Sequence, residues 1–372
     1  MNKKKKKVSF KKWIGRLHLW LGLLSGIVVF IVAITGCIYV FHDEIKDITR
    51  DHRLVEAQNS EYVLPSSFIT SAEALYPDFK TDFVMYQGRN RSAFVYGELE
   101  KEPFYFYFDP YTGEYLAKEN LHEDFFHIVE ELHMYLLLPE EFGKQVVGIS
   151  TIIFVFMLIS GIILWWPKKR KHLKKKLQVK WNAKWRRINY DLHSSIGLYI
   201  SSIALILALT GLTFVYSWMQ DVIYETVNLG EEYPSDRIEQ DIKQTSAKTS
   251  KGNVLDIAFI KTTEKFPDQE MYFVWKQNDS IPIISGAYPE ALNYHGQSNL
   301  YFHPETGELI ATQNYADKSA GLQFQELNYG IHTGQYFGLL GKILAFFASL
   351  FVAVLPVSGF LIWCGRKRKS RK

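Results

Sequence analysis

Cysteine is scarce in this chain, which has 372 residues and only two cysteines. Cys37 and Cys364 lie near opposite ends of two different long apolar segments. A disulfide needs its two Cα atoms within about 7 Å, so residues on opposite sides of a membrane cannot form one. The sequence therefore excludes a disulfide framework and a metal site built from cysteines.

Motifs for phosphate binding and covalent catalysis are also missing. The chain has no glycine-rich phosphate loop, no dinucleotide fingerprint and no nucleophile arrangement. This excludes a flavin or nicotinamide domain, and no catalytic side chain is predicted. The lysine-rich stretch 168–184 lies between two apolar segments, which favours anionic lipid headgroups rather than nucleic acid as its partner.

Four apolar runs stand out against an otherwise average composition. Each has about 20 residues, enough to cross the hydrocarbon core of a bilayer as a helix. The first run follows a lysine cluster but is too long for a signal peptide, and no small-residue cleavage site follows it. We therefore expect an uncleaved anchor and four membrane helices. The runs cover residues 19–41, 146–166, 196–218 and 339–363.

Basic residues predict the orientation of these helices. Segments 1–16, 167–192 and 365–372 hold 25 of the 43 lysines and arginines, and such segments stay in the cytoplasm. The two long intervening segments are acidic, so we expect them outside and both termini inside. The predicted organisation is a basic tail (1–16), membrane spans (17–42, 145–166, 193–218 and 338–364), outer domains (43–144 and 219–337), a basic loop (167–192) and a basic tail (365–372).

Histidines occupy matching positions in two copies of one apolar pattern. His18 and His193 each precede a Thr-Gly dipeptide by 17 residues, with an offset of 175 between the copies. His133 and His332 each precede an apolar segment that closes with Ser-Gly. An ionisable residue repeated at a membrane border indicates a functional site. The dipeptides are Thr35-Gly36, Thr210-Gly211, Ser160-Gly161 and Ser358-Gly359.

Each outer segment is predicted to hold one helix and two β-hairpins. In the first, Ser66 and Ser67 are candidate caps of a helix that ends before Pro77, and strands are expected at 83–86, 93–96 and 104–108. The second repeats this order, with strands at 271–275, 281–284 and 300–302. Residues 109–114 and 303–308 share a Pro-x-Thr-Gly-Glu pattern that is typical of a tight turn. The repeated order predicts an internal tandem duplication.

The chain resembles the PepSY-associated transmembrane-helix family, which includes iron-regulated membrane proteins. The resemblance covers nearly the whole chain and rests on the Leu-His…Gly-Leu…Thr-Gly helices, the Pro-x-Thr-Gly-Glu turns and the Ser-Gly-x-x-x-Trp segment ends. It implies an α-helical bundle of four transmembrane helices with two small extracytoplasmic α/β domains of PepSY type, in the bacterial cytoplasmic membrane. Some members look like ferric-siderophore reductases with haem b on transmembrane histidines, which implies a transmembrane ferric-chelate reductase here.

The histidines suit this chemistry, because two histidines fill both axial sites of a haem iron and favour electron transfer. His18 and His193 lie at one predicted level near the cytoplasmic side and are expected to ligate one iron; they are named the inner pair. His133 and His332 precede their helices on the outer side and are expected to ligate a second iron; they are named the outer pair. One or two haems b per chain are therefore expected.

Other histidines compete for the outer iron. His122 lies 11 residues before His133 and would share its face on a continuous helix, while His127 and His42 are also near in sequence. Small residues beneath the inner histidines equally fit simple helix packing. The remaining histidines are expected to be exposed: His52, His172, His295 and His303.

These features predict an electron-transfer protein that reduces a ferric siderophore or another ferric chelate on the periplasmic side for iron uptake. Its electron donor would be a quinol or a cytoplasmic reductase. The alternative is a non-enzymatic membrane module whose PepSY-like domains bind an exported peptidase or another protein, with purely architectural histidines. A transporter fits less well, because polar residues are scarce at the predicted midplane of the bilayer.

Overall fold

The computed structural model describes residues 9–231, 233, 236, 252–278 and 280–369. Parts of both predicted basic tails (1–8 and 370–372) and of the second outer segment (237–251) lie outside the described residues. The chain divides into two compact units. The membrane unit comprises Met1–Phe41, Ile128–Met219 and Ile331–Lys372, and the sheet unit comprises His42–His127 and Gln220–Gly330.

The described residues form helices and strands in a repeating order. The helices are α1 (Phe10–Tyr39), α2 (His42–Thr49), α3 (Pro65–Leu75), α4 (Phe125–Tyr135), α5 (Glu140–Trp165), α6 (Leu173–Lys176), α7 (Trp185–Thr213), α8 (Ser217–Val227), α9 (Val254–Lys265), α10 (Ala320–Thr333) and α11 (Gly338–Lys369). The strands are β1 (Lys80–Tyr86), β2 (Ala93–Leu99), β3 (Glu102–Phe108), β4 (Tyr115–Asn120), β5 (Met271–Trp275), β6 (Ile283–Tyr288), β7 (Ser298–Phe302) and β8 (Leu309–Gln313).

Four stretches of the described chain are helical, long and apolar enough to cross a membrane: α1, α5, α7 and Gln335–Arg366, which includes most of α11. Their outer sides carry large apolar side chains, such as Leu24 and Ile27 of α1, which are 70% and 72% exposed. A surface of this kind is stable against lipid, which is as apolar as leucine. The predicted four-helix membrane protein is confirmed.

Two membrane helices begin inside predicted basic segments. The helix α1 begins at Phe10, inside the predicted basic tail, and α7 begins at Trp185, inside the predicted basic loop. Basic side chains tolerate this because their apolar stems pack along a helix while their charged ends reach water or headgroups. The helices therefore extend beyond the hydrocarbon-spanning part that hydropathy detects.

The membrane unit is a bundle in which α1 and α7 are not direct neighbours. Each of them packs against both α5 and α11, so α1 and α7 lie diagonally across the bundle. Alanines at the centre let the helix backbones approach closely, as is usual in membranes. This central cluster consists of Val29, Ala33, Leu158, Ile200, Ala204, Val352 and Ala353.

The sheet unit contains one antiparallel sheet with the strand order β4-β3-β2-β1-β5-β6-β7-β8. Each predicted outer segment supplies four consecutive strands, and the two halves join where β1 pairs with β5, from Phe83 opposite Trp275 to Tyr86 opposite Tyr272. The prediction of two separate outer domains is therefore wrong. An unpaired β1 and β5 would each leave a row of backbone donors and acceptors without partners, and pairing them satisfies both rows.

The two halves of the sheet also share one hydrophobic core. The helices α3 and α9 contact each other, and Phe68 of α3 and Phe259 of α9 belong to the same buried cluster as Tyr86. The predicted serine caps are wrong, since α3 begins at Pro65 without a side-chain cap. Ser66 instead donates its backbone N–H to Asp256 Oδ1 over 2.9 Å, which links the two helices.

Both Pro-x-Thr-Gly-Glu segments form the predicted tight turns. Asp109 Oδ1 accepts the backbone N–H groups of Tyr111 and Thr112 at 2.8 and 3.0 Å. In the second turn the ring nitrogen Nδ1 of His303 accepts the equivalent backbone donors at 3.2 and 3.3 Å. His303 is only 8% exposed, so the expectation that it is exposed is wrong. The imidazole is buried because it takes the place of an aspartate inside the turn.

A buried arginine organises charges in the sheet unit. Arg53 is 4% exposed and donates to Asp47 at 2.8 Å and to Asp43 at 3.0 Å, while Arg91 donates to both carboxylate oxygens of Asp47. Burial alone would raise the pKa of Asp47, but its hydrogen bonds to Arg91 and Arg53 hold the pKa below its ordinary value. The ion pairs of this cluster therefore require Asp47 in its ionised form.

A second charge cluster surrounds Arg50, which donates to Glu119 at 2.6 Å and to Asp124. His52 Nε2 lies 2.9 Å from Glu119 Oε1, and its ring packs on Tyr107 with centroids 4.7 Å apart. His52 is therefore partly buried, contrary to the expectation of an exposed histidine. The partners outweigh the effect of burial, so the pKa values of Glu119 and Asp124 are lowered.

Candidate functional site

The structure brings the four singled-out histidines together as two pairs within the membrane unit. The ring centroids of His18 on α1 and His193 on α7 are 6.5 Å apart, and the ring planes cross at 86°. The centroids of His133 on α4 and His332 on α10 are 6.1 Å apart, with an angle of 68°. These are the inner and outer pairs that the repeat suggests.

The competing histidines lie in the sheet unit instead. The rings of His122 and His127 are 6.2 Å apart, and His122 Nδ1 bonds with Glu102. His42 Nε2 lies 3.4 Å from the carboxylate of its neighbour Asp43. Each of the three competitors therefore has surroundings of its own within that unit.

A serine on a neighbouring helix holds each ring of the inner pair. His18 Nδ1 lies 2.8 Å from Ser160 Oγ on α5, and His193 Nδ1 lies 2.8 Å from Ser358 Oγ on α11. Because α5 and α11 each pack against both α1 and α7, the serines reach the histidines from the flanks. Each contact engages the Nδ1 atom of its ring.

Threonines hold the outer pair in the same manner. His133 Nδ1 lies 3.1 Å from Thr35 Oγ1 on α1, and His332 Nδ1 lies 3.0 Å from Thr210 Oγ1 on α7. The ring of Phe214 packs against His332 with centroids 5.5 Å apart. The helices α1 and α7 thus supply the histidines of the inner pair, and they supply the threonines that contact the histidines of the outer pair.

A glycine follows each of these hydroxyl residues and lies against the same imidazole. Any side chain there would approach the ring, so glycine makes room for it. The distances from an added Cβ to the ring carbon Cε1 are 3.1 Å at Gly211 to His332, 3.3 Å at Gly36 to His133, 3.3 Å at Gly359 to His193 and 3.5 Å at Gly161 to His18.

These Ser-Gly and Thr-Gly dipeptides complete the candidate site, and the sequence alone does not show that they contact the histidines. The repeat marks them, but their partners are distant: Ser160 is 142 residues from His18, and Thr35 is 98 residues from His133. A helical segment ending in a hydroxyl residue and glycine does not indicate which histidine it meets. Only the packing of the helices reveals the four His–hydroxyl contacts.

The geometry of both pairs suits a metal held between two imidazoles. An imidazole nitrogen binds a first-row metal at about 2 Å, and the ring centre lies roughly 1 Å further back, so two axial rings have centroids about 6 Å apart. The separations of 6.5 and 6.1 Å match this value. The donor set, two imidazoles per site and no cysteine, could hold a haem iron by bis-histidine ligation.

The outer imidazoles are neutral, which is the form that can bind a metal. Burial lowers the pKa of His133 to about 4. Burial, with a smaller contribution from the neighbouring His133, lowers the pKa of His332 to about 3. At neutral pH each ring therefore carries one proton and leaves one nitrogen lone pair for a metal.

The two pairs lie toward opposite ends of the bundle. On α1, His18 of the inner pair and Thr35, which holds the outer pair, are 17 residues apart, which is about 25 Å at 1.5 Å per residue. The aliphatic cluster that includes Val29 and Ala204 packs the centre of the bundle. The site thus consists of two separated positions with an aliphatic cluster between them.

The fold and the site define a membrane protein with four spanning helices, a histidine pair toward each end of the bundle and an antiparallel α/β sheet unit. The PepSY-associated TM region family matches residues 15–366, and the chain belongs to this family. A comparison with curated proteins found no match.

Proposed function

We propose that this chain is a haem b-containing electron-transfer protein of the bacterial cytoplasmic membrane that reduces a ferric siderophore or another ferric chelate on the periplasmic side for iron uptake. The observation that carries the proposal is the pair of facing imidazoles toward each end of the bundle, with centroids 6.5 and 6.1 Å apart. Two ligands per iron and two positions per chain suit transfer across a membrane better than a single buried site does.

The histidines have defined roles in this proposal. His18 and His193 hold one haem b, and His133 and His332 hold the other. When bound, haem b supplies one-electron transfer. The chain would supply two imidazole ligands to each haem iron and would exclude water through its aliphatic centre. Two imidazole ligands per iron would favour electron transfer over oxygen chemistry.

The orientation follows from charge. Segments 1–16, 167–192 and 365–372 contain 25 of the 43 basic residues and face the cytoplasm in this proposal, with anionic lipids as their partners. The inner pair then lies on the side of the electron donor, a quinol or a cytoplasmic reductase. The sheet unit lies in the periplasm and docks the ferric chelate. Reduction to Fe(II) weakens binding by hard oxygen donors, so one electron releases the iron.

A tandem duplication accounts for the repeated geometry. The His18–Ser160 and His193–Ser358 contacts have the same length, and the sheet order is symmetric about the β1–β5 junction. One ancestral unit would have supplied a helix, half a sheet and a second helix. Each haem position then takes one histidine from each copy.

The test is a dithionite-reduced minus air-oxidised absorption spectrum of the purified full chain, with haem and protein quantified in one sample. Two haems b per chain are expected, falling to one in His18→Ala and His193→Ala, with loss of ferric-chelate reduction in proteoliposomes. His172→Ala, at an exposed position of the basic loop, is the matched control. Unchanged haem content in both inner-pair variants would refute the assignment.

The second candidate is a non-enzymatic PepSY module that binds an exported peptidase or another protein. It is favoured by the edge strand β8, where Leu309 and Ile310 are 43% and 44% exposed, because an open sheet edge can accept an added strand. A half of the sheet unit is unsuitable as a probe, since both halves share one core. Purified full chain that is colourless but binds such a peptidase would favour this function.

A further inference from the structure

We infer that Ser160, Ser358, Thr35 and Thr210 are positioning residues that fix each histidine in one tautomer and present its Nε2 as the ligand atom. The inference rests on the proposed haem-binding function and assigns a task to hydroxyls that do not touch the iron. It also accounts for the dipeptide repeat, because the same task recurs at all four histidines.

The serines accept, rather than donate, the hydrogen bond to the ring. A hydroxyl has one proton, and Ser160 Oγ donates it to the backbone carbonyl of Met157 at 3.1 Å. Ser358 Oγ likewise donates to the carbonyl of Leu355 at 3.0 Å. On this assignment imidazole Nδ1–H donates the 2.8 Å contacts to the two serines.

The threonine hydroxyls also donate their protons to backbone carbonyls. Thr35 Oγ1 lies 2.9 Å from the carbonyl of Ile31 and 3.0 Å from that of Val32. Thr210 Oγ1 lies 2.7 Å from the carbonyl of Ile206. Each threonine proton therefore goes to its own helix, and each oxygen is left to accept Nδ1–H from a histidine of another helix.

The ligand atom follows from this hydrogen-bond direction. A neutral imidazole has one protonated and one bare nitrogen, and the hydrogen bond at one nitrogen determines which nitrogen binds a metal. With Nδ1 protonated in all four rings, Nε2 carries the lone pair. Tautomer and ligand atom are thus settled before any metal arrives.

The hydroxyls also set the rotation of each ring. An imidazole fixed at Nδ1 cannot turn freely about its Cβ–Cγ bond, and the glycine beside each hydroxyl lets the ring edge approach the helix. The two rings of a pair are held from different helices, which yields crossing angles of 86° and 68°. Without the hydroxyls, the helices would place the histidines but leave the ring planes undetermined.

A hydroxyl acceptor polarises the imidazole only moderately, because it is uncharged. Hydrogen-bond acceptors of this kind raise ligand basicity and orient the ring. Removing one lowers the basicity of Nε2 and stabilises the ferric state less, so the midpoint potential of that position rises. Partners of ligating histidines commonly contribute about 10–100-fold to metal affinity.

The test compares Ser160→Ala and Ser160→Thr in the full chain, with Ser25→Ala as control. Ser25 is also buried and donates to its own helix, to the carbonyl of Leu21 at 3.0 Å. In Ser160→Ala we expect haem dissociation from one position to quicken roughly 10–100-fold and its midpoint potential to rise. Ser160→Thr keeps the hydroxyl and restores both values, and Ser25→Ala behaves as the wild type.

A second readout needs no haem. Selective ¹⁵N-histidine labelling of the haem-free chain reports tautomers, and the Nδ1–H form is expected for the four paired rings. A wild-type protein that binds haem, together with a Ser160→Ala variant of unchanged potential and dissociation rate, would overturn this inference alone. So would an Nε2–H tautomer at these rings. A wild type that binds no haem overturns the proposed function as well.

Discussion

The glycines beside the imidazoles provide a graded test of how closely the rings are held. A methyl group at position 211 would lie 3.1 Å from His332 Cε1, closer than ordinary van der Waals contact, whereas one at position 161 would lie 3.5 Å from His18 Cε1. Gly211→Ala and Gly161→Ala are therefore the same substitution in equivalent surroundings, with clearances that differ by a few tenths of an ångström. We expect only the first to disturb its histidine.

The magnitude follows from two opposing effects. Overpacking costs about 1–3 kcal/mol, because the His332 ring must move while Thr210, one residue before Gly211, holds its Nδ1 at 3.0 Å. Alanine favours the helix by about 1 kcal/mol over glycine. The net loss in unfolding free energy is therefore at most about 2 kcal/mol. Each 1.4 kcal/mol by which the displaced His332 ring weakens binding of the proposed outer haem should lower the retention of that haem roughly tenfold.

The assay combines haem content with thermal unfolding in detergent. Gly211→Ala should lose haem from one position while its melting temperature changes little, and Gly161→Ala should keep both haems. Alanine at positions 36 and 359, with a clearance of 3.3 Å, should give intermediate results. Equal haem retention in Gly211→Ala and Gly161→Ala, or greater loss in Gly161→Ala, would refute the reasoning.

Three further predictions concern the charges and the ring angles. Arg53→Ala removes the arginine partner of Asp43 and one of the two arginine partners of Asp47, so the sheet unit should lose about 3–5 kcal/mol in urea unfolding, while an exposed control, Arg89→Ala, should not. The lowered pKa values of Asp47, Glu119 and Asp124 stabilise the sheet unit above the unfolded-state pKa values of about 3.9–4.3. This stabilisation is lost as pH falls through the still lower folded values, and circular dichroism that is flat down to pH 2 would contradict it. Finally, near-perpendicular imidazoles almost cancel the rhombic splitting of low-spin Fe(III), so the inner pair at 86° should give a more axial electron paramagnetic resonance signal than the outer pair; a strongly rhombic signal at both positions would contradict the observed angles.

The charge clusters explain why some positions of the sheet unit require a particular charged residue, although hydropathy does not identify these positions. Arg53 looks like an ordinary surface residue in the sequence, yet it is 4% exposed and bonds two aspartates. Its partners Asp43 and Asp47 are close in sequence, but Arg91, which shares Asp47, is far away. The pattern of charges along the chain indicates the contacts of Arg53 with Asp43 and Asp47, but it does not indicate the contact of Arg91 with Asp47.

Local patterns were sufficient for much of the fold. Apolar runs of about 20 residues identify membrane helices because the bilayer sets the required length. Pro-x-Thr-Gly-Glu identifies the turns because aspartate, proline and glycine suit particular backbone angles, and Gly113 and Gly307 indeed have φ of +77° and +66°. Position 303 shows the limit of such patterns. A histidine in the aspartate position was expected to be exposed, but its Nδ1 accepts the same backbone donors and the ring is buried.

The sequence by itself determined the membrane helices, the repeated strand order and the four histidines, because each depends on composition or spacing over a short stretch of chain. Only the tertiary structure decided that β1 and β5 join two halves into one sheet, and that Ser160, Ser358, Thr35 and Thr210 hold the imidazoles. The four hydroxyl–imidazole contacts join residues from 98 to 165 positions apart. Their formation depends on which helices pack diagonally and which strand edges remain unpaired, and that information belongs to the assembled fold rather than to any segment of it.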